Sequence, residues 1–236
     1  ICQIVQRVCN DICYKFIDDR DTFLQCLFII ETVICYCVFP DEILKPCIIV
    51  LCLAVNFEMY VESSYKIMRS LLGTQFGYAS ILKMCNMLKE GKTLVDPYIL
   101  RGAIFHTNMN LWGGNNVALQ NGMKYSSVVL SSYLEVLQCG AQIVTYEVVL
   151  SLQSLITKCG LDLSELAWDI IMEILNRALT NIERDKSATI EHSDLPVRFH
   201  AIFDNLENLI QQGGLNVNED KVYGVVERIS NKRSDA

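Results

Sequence analysis

The sequence predicts an all-α protein, an α-solenoid of about five to six helical hairpins, and three observations carry that prediction. The 236 residues are 51% hydrophobic and 20% charged, broken by only four prolines and twelve glycines. Such a composition suits a buried helical array better than a sandwich or a disordered chain. No stretch alternates apolar and polar residues with a period of two between turn signals, so no sheet is expected. From Tyr65 to Gly114 the chain reads as three helices that are apolar over more of their circumference than a lone surface helix can hide.

Taken in order, residues 1–17 form an amphipathic helix, with Ile1, Ile4, Val5, Val8, Ile12 and Phe16 on one face. Asp18-Asp19-Arg20-Asp21 makes a polar turn. The run Phe23–Phe39 is the most apolar of the chain. It offers about 17 residues where a membrane span needs about 20, and it contains Gln25 and Glu31, so a buried helix is expected and no membrane span. A third helix starts at Pro46 and reaches Asn56, where a proline in the first turn costs no hydrogen bond. Tyr60–Leu72 follows and stops at Gly73, which is expected to take positive φ as a helix C′ residue.

Phe76–Lys89 places Ile81, Leu82, Met84, Cys85 and Leu88 at helical spacing. Asp96 suits an N-cap and Pro97 the first position of a helix that closes on Leu111-Trp112-Gly113-Gly114. A glycine and asparagine loop then spans Gly113–Asn121. Further helices are expected over Ser126–Leu137, Val144–Lys158 and Leu163–Glu183. Arg184–Ser193 reads as a polar linker, before Leu195–Gln211 and a last helix, Asn218–Ile229. About eleven helices joined by short loops point to a repeat architecture.

A signature recurs in three of them: Ile67-Met68-Arg69, Ile99-Leu100-Arg101 and Pro196-Val197-Arg198. Asp96-Pro97 opening a helix that carries Arg101 resembles the second helix of a HEAT repeat. There the arginine pairs with an acidic group of the neighbouring repeat. Arg69 to Arg101 is 32 positions and Arg101 to Arg198 is 97, two steps of about 48. HEAT units span about 40–47 residues, so the helix count is the stronger argument. Arg69, Asp96, Arg101, Arg198, Trp112 and Trp168 are thus read as structural repeat positions. The arginines are expected to bond to carboxylates or helix-end carbonyls, and the tryptophans to pack between helices.

Net charge is −7, which disfavours nucleic acid and anionic membranes as partners. Eleven cysteines are an odd number, without a basic secretory leader or an Asn-x-Ser/Thr sequon. Cys9, Cys13, Cys26, Cys52 and Cys85 stand at apolar helical positions, where free cysteine acts as a small core residue. A reduced, cytoplasmic protein is expected. Cys9-x3-Cys13 and Cys35-x-Cys37 lack the second knuckle or histidine cluster of a zinc site, since His106, His192 and His200 are scattered. Gly91-Lys92-Thr93 imitates the end of a phosphate loop, but Asn86 stands where that loop needs glycine and a helix precedes it. No catalytic motif is present, and no cofactor or metal is expected. The chain begins at Ile1 and ends soon after Asn231-Lys232-Arg233, so residues 1–236 are read as one solenoid segment cut from a longer chain.

The wording from residue 65 onward is more specific. Lys66-Ile67-Met68-Arg69-Ser70-Leu71-Leu72-Gly73-Thr74, Met84-Cys85-Asn86-Met87-Leu88 and Leu100-Arg101-Gly102-Ala103 ending in Leu111-Trp112-Gly113 resemble the amino-terminal region of the tuberin family. So do Val144-Thr145-Tyr146-Glu147-Val148-Val149-Leu150-Ser151 and Ala167-Trp168-Asp169-Ile170, with a weaker likeness before residue 40 and after about 185. The resemblance implies a subunit of the tuberous sclerosis complex, in which the family stimulates GTP hydrolysis by Rheb and restrains TOR-driven growth. It implies that these helices bind the coiled-coil partner hamartin, and that the complex is recruited peripherally to membranes. The family's GTPase-activating domain lies at its far carboxyl end and nothing in this sequence matches it, so a scaffold without activity of its own is expected. An importin-like cargo-binding solenoid or other HEAT-repeat adaptor is the other reading, but an importin-like carrier calls for repeated tryptophan and asparagine pairs, and two distant tryptophans do not supply them.

Overall fold

The computed structural model describes residues 2–37, 41–90, 95–113 and 125–184, and positions 201, 202, 204, 205 and 208. Among them are nine helices and no strand. Helix α1 runs in three joined pieces, Cys2–Arg7, a π-helical turn Val8–Ile12, and Cys13–Lys15. Then come α2 (Arg20–Tyr36), α3 (Leu44–Ala54), α4 (Val61–Leu72) and α5 (Gly77–Glu90). Next is α6 (Pro97–Asn108), continued by a π-helical turn Met109–Gly113. The last three are α7 (Ser126–Val136), α8 (Gln142–Cys159) and α9 (Glu165–Arg184). The expected loop beyond Gly113, the linker beyond Arg184 and the helix Asn218–Ile229 lie outside the described residues, as does Leu195–Gln211 apart from the five positions named.

The helices stack in two layers, α1, α3, α6 and α8 in one and α2, α4, α5, α7 and α9 in the other, around one continuous apolar core. This is a helical solenoid. Its alternation has a break. Between α4 and α5 the chain stays in the same layer, because the turn after Gly73 folds tightly: the Thr74 hydroxyl donates to the Leu71 carbonyl at 2.7 Å and accepts from the Phe76 N–H at 3.2 Å. The helices on either side of that turn therefore run in opposite senses. In the first layer α3 and α6 are antiparallel, Asn56 meeting the Tyr98 carbonyl at 2.9 Å and Leu51 meeting His106 at 3.2 Å. Helices α6 and α8 are parallel, Arg101 facing Glu147 and Trp112 facing Ser151. The solenoid is thus two half-stacks joined at a seam where the direction of the helices within a layer reverses.

Three local expectations need correction. Ile4, placed on the core face of α1 by simple periodicity, is 63% exposed, while Val5, Val8, Cys9 and Cys13 are buried. Ile4 sits at the edge of the stripe that Val5, Val8 and Cys9 bury, and beyond it the wider spacing of the π-helical turn carries Cys13 inward where a regular helix would carry Ile12. Helix α3 begins at Leu44, so Pro46 is its third residue and still within the turn whose N–H groups have no partner. Gly73 keeps φ −76° and needs no glycine; the positive φ falls on Gly140, at 69°, which closes the 3₁₀ turn Leu137–Cys139.

Candidate functional site

The polar groups that an apolar stack must satisfy gather along the layer α3–α6–α8. Asp96 ends the loop before α6 and its carboxylate accepts from the Tyr98 N–H at 2.8 Å, an N-cap completed by Pro97 at the first position. That cap sets the phase of α6, and one turn later Arg101 points between the two flanking helices. Its Nε donates to the Glu147 carboxylate at 3.1 Å and its Nη1 to the Asn56 side-chain oxygen at 2.9 Å. Asn56 in turn donates to the carbonyls of Cys52, Leu53 and Tyr98 at 2.9–3.0 Å, tying the end of α3 to the start of α6. The Glu147 side chain is 3% exposed and that of Arg101 31%, so the pair has one foot in the core and one in water.

At the seam itself α3 and α6 touch backbone to backbone. A Cβ on Gly102 would stand 1.8 Å from the Cys52 carbonyl oxygen, closer than any side chain can come. Here glycine serves close approach rather than an unusual dihedral. One turn on, His106 is wholly buried between α3 and α4. Its Nε2 lies 3.2 Å from the Leu51 carbonyl and 3.3 Å from the Ser64 hydroxyl, which itself donates to Leu51 at 2.8 Å. Donation from Nε2 leaves Nδ1 unprotonated, and Nδ1 has no hydrogen-bond partner among the described residues. Burial pushes the imidazole down to about 4, against the smaller opposing effect of the Leu51 bond. It is a neutral joint residue.

Trp112 is buried at the end of α6, its indole N–H donating to the Ser151 carbonyl at 3.1 Å and hydroxyl at 3.2 Å, with the Tyr133 hydroxyl 3.0 Å from the same Ser151 oxygen. Burial pushes the Tyr133 phenol well up. Trp168, on α9, is buried too, and its N–H has no partner among the described residues. Arg69 is exposed on α4 and makes no ion pair among the described residues. The topology explains the difference from Arg101, because α4 belongs to the other layer. The 32-residue spacing between them is not a repeat step. Arg198 lies outside the described residues, as do Gly91-Lys92-Thr93, His192 and His200.

Asn56, Glu147, Ser151 and His106 carry this network and are not among the six positions chosen from the sequence. Glu147 did leave a trace, as the one acid within Val144-Thr145-Tyr146-Glu147-Val148-Val149. A charge inside an apolar stripe signals a buried partner.

Among the described residues no group of three or more His, Cys, Asp or Glu is placed to hold a metal ion. Ten cysteines, from Cys9 to Cys159, are free, and Cys9 and Cys47 meet at 3.6 Å between sulfurs in the core, where the neighbouring thiol and burial keep the Cys9 thiol protonated. Among the described residues no helix is long and apolar enough to cross a membrane. An open cleft of about 550 Å³ lies between the end of α7 and α9, lined by Leu137, Gly140, Glu173, Arg177 and Asn181 among others. Two of its polar side chains are engaged already, Arg177 with Glu173 and Leu134 and Asn181 with Leu137. The network therefore ties α3, α6 and α8 to one another.

The profile of a family described as a domain of unknown function, DUF3384, matches residues 1–236. A solved structure of the TSC2 N-terminus is similar with a TM-score of 0.73 at 15% identity, covering 97% of this chain and 56% of that chain. At that identity the likeness is one of fold, and this chain spans little more than half of the solved one. The fold is that of the tuberin amino-terminal region which the sequence resembles.

Proposed function

The chain belongs to the DUF3384 family, and from that premise we propose that it is the protein-binding scaffold of a tuberin-like protein. It engages a hamartin-like coiled coil in a cytoplasmic complex that restrains Rheb and TOR signalling. Residues 1–236 act as a single solenoid segment, without GTPase-stimulating activity of their own. Any action on Rheb belongs to a carboxyl-terminal domain that this sequence does not contain, and any recruitment to membranes belongs to the assembled complex.

The observation that supports this reading is the Asn56–Arg101–Glu147 bridge. It uses the strongest polar groups of the stack to lock three successive helices into one surface, and so turns them into a rigid docking platform. The fold likeness to the TSC2 N-terminus and the wording of residues 65–170 support the choice of partner. The test is a pull-down of the purified chain with a purified hamartin-like coiled coil, alongside a Rheb GTP-hydrolysis assay. Retention at micromolar concentration without stimulated hydrolysis is expected. Absence of retention at that concentration overturns the reading.

A further inference from the structure

We propose that Cys9 and Cys47 form a reversible disulfide that fastens α1 to α3 when the chain meets a hydroperoxide. This stands apart from the scaffold reading above and begins from where the thiols lie. Cys9 and Cys47 are both buried, with their sulfurs 3.6 Å apart. Four residues on, buried Cys13 shares a hydrogen bond with Cys26 of α2. Helix α1 thus meets a thiol on each of the two helices beneath it. Cys52 and Cys85 are buried as deeply but behave otherwise. Burial alone raises the Cys52 thiol, and Cys85 hydrogen-bonds Ser132. Those two act as plain small core residues, whereas the thiols at α1 stand in pairs. The backbone of α1 supports the pairing. Its π-helical turn, Val8–Ile12, brings Cys9 and Cys13 inward together, and such turns are rare and frequent at functional positions.

A disulfide holds its sulfurs about 2.05 Å apart, so a closing of about 1.5 Å, shared between two side chains, makes the bond. In the closed fold the pair is inert, because a buried protonated thiol is a poor nucleophile. Oxidation begins in the fraction of molecules in which α1 is detached from α3. There the Cys9 thiolate attacks one peroxide oxygen, the O–O bond breaks, and Cys9 becomes a sulfenic acid. The other oxygen takes up protons and leaves as water. Once α1 is docked again, the Cys47 sulfur attacks the sulfenic sulfur and the S–O bond breaks. The departing hydroxide takes the Cys47 proton and leaves as a second water. Two thiols have lost two electrons, and one hydrogen peroxide has been reduced to two waters. A dithiol reductant reverses the change by exchange. The new bond spans 38 positions and closes a loop that holds all of α2. Oxidation therefore converts a helix held by packing into one held covalently.

The test exposes the reduced 236-residue chain to hydrogen peroxide, unfolds it, blocks the remaining thiols with iodoacetamide and maps linked peptides by mass spectrometry. Thermal unfolding is followed on the same samples with and without dithiothreitol. A Cys9–Cys47 link, lighter by two hydrogens than the two thiols, is expected in the parent. With it comes a rise in Tm of roughly 5 °C or more, and dithiothreitol abolishes both. Cys9→Ala and Cys47→Ala should lose the link and the rise, while Cys26→Ala and Cys52→Ala keep them. Unfolding of each reduced variant shows that it is folded, and the linkage map of the parent decides the matter without any variant. Recovery of Cys9 and Cys47 as alkylated thiols, with oxidation confined to exposed Cys35, overturns the proposal. So does a link from Cys9 to Cys13, a link from Cys13 to Cys26 in its place, or an equal rise in Tm for the parent and Cys47→Ala.

Discussion

Arg101 and Glu147, 46 residues apart in sequence, meet at 3.1 Å with the carboxylate almost wholly buried. Removing the guanidinium leaves a desolvated charge inside the stack. Arg101→Ala is expected to cost about 2–3 kcal/mol, below the figure for a fully buried pair because the arginine is partly in water. Arg101→Lys recovers only part of this, since an ammonium cannot reach Glu147 and Asn56 in the geometry of the guanidinium fork. Urea unfolding of both variants measures the difference, and equal stability of parent and Arg101→Ala would refute the bridge.

Two glycines should respond with opposite sign. Gly102→Ala drives a Cβ into the Cys52 carbonyl, so α3 and α6 must separate. A loss of at least about 3 kcal/mol is expected, at the upper end of overpacking effects. Gly73 has ordinary φ and only van der Waals neighbours at 3.4 and 3.6 Å. Gly73→Ala should gain roughly 0.4–1 kcal/mol by narrowing the unfolded ensemble. Melting curves of the two single variants decide both points.

His106 predicts a pH dependence. Its folded value, about 4, lies below the ordinary 6.5, so the unfolded chain binds its proton first as pH falls. The neutral imidazole therefore contributes its full stability above about pH 6.5, and this is lost progressively between 6.5 and 4. The total is about 3 kcal/mol, from 1.36 kcal/mol per pKa unit. His106→Gln, compared with the parent across that range, should show the flatter profile. Parallel profiles would mean that the imidazole is not buried neutral.

The two tryptophans separate packing from hydrogen bonding. Trp112→Phe loses ring volume and also two bonds to Ser151. Trp168→Phe loses ring volume alone. The first should cost about 1 kcal/mol more than the second, the net value of one buried hydrogen bond set. Chemical denaturation of both variants gives the comparison.

Much of the fold was legible because helix phase is written locally. Caps such as Asp96-Pro97, and apolar spacing such as Ile81 to Leu88, placed nine helices within a few residues of their observed bounds. Layer membership was not legible, since it depends on whether the turn at Gly73–Phe76 sends the next helix across or alongside. That choice is made by the Thr74 hydroxyl and by the packing of α5 on α4, neither of which has a periodic signature. The same gap made Arg69 look equivalent to Arg101. It also hid Asn56 and Glu147, whose roles exist only once α3, α6 and α8 are neighbours. The exchange of Ile12 for Cys13 on the buried face of α1 had another source, as a π-helical turn inserts a phase shift that no count of apolar residues reveals.

The reversal at the seam also bears on how the chain folds. Within each half, helices close on neighbours of the same direction, as in repeat arrays that nucleate anywhere and spread. Contacts across the seam, such as Asn56 with Arg101 and Leu51 with His106, bridge 45 and 55 residues and have no identical copy further along to template them. The seam is nonetheless tightly closed, with α3 and α6 meeting backbone to backbone at Gly102 and the Asn56–Arg101–Glu147 bridge crossing it. Amide exchange in α1–α4 and in α5–α9 should therefore rise together as one cooperative unit, and two separate blocks would show that the seam does not hold the halves together.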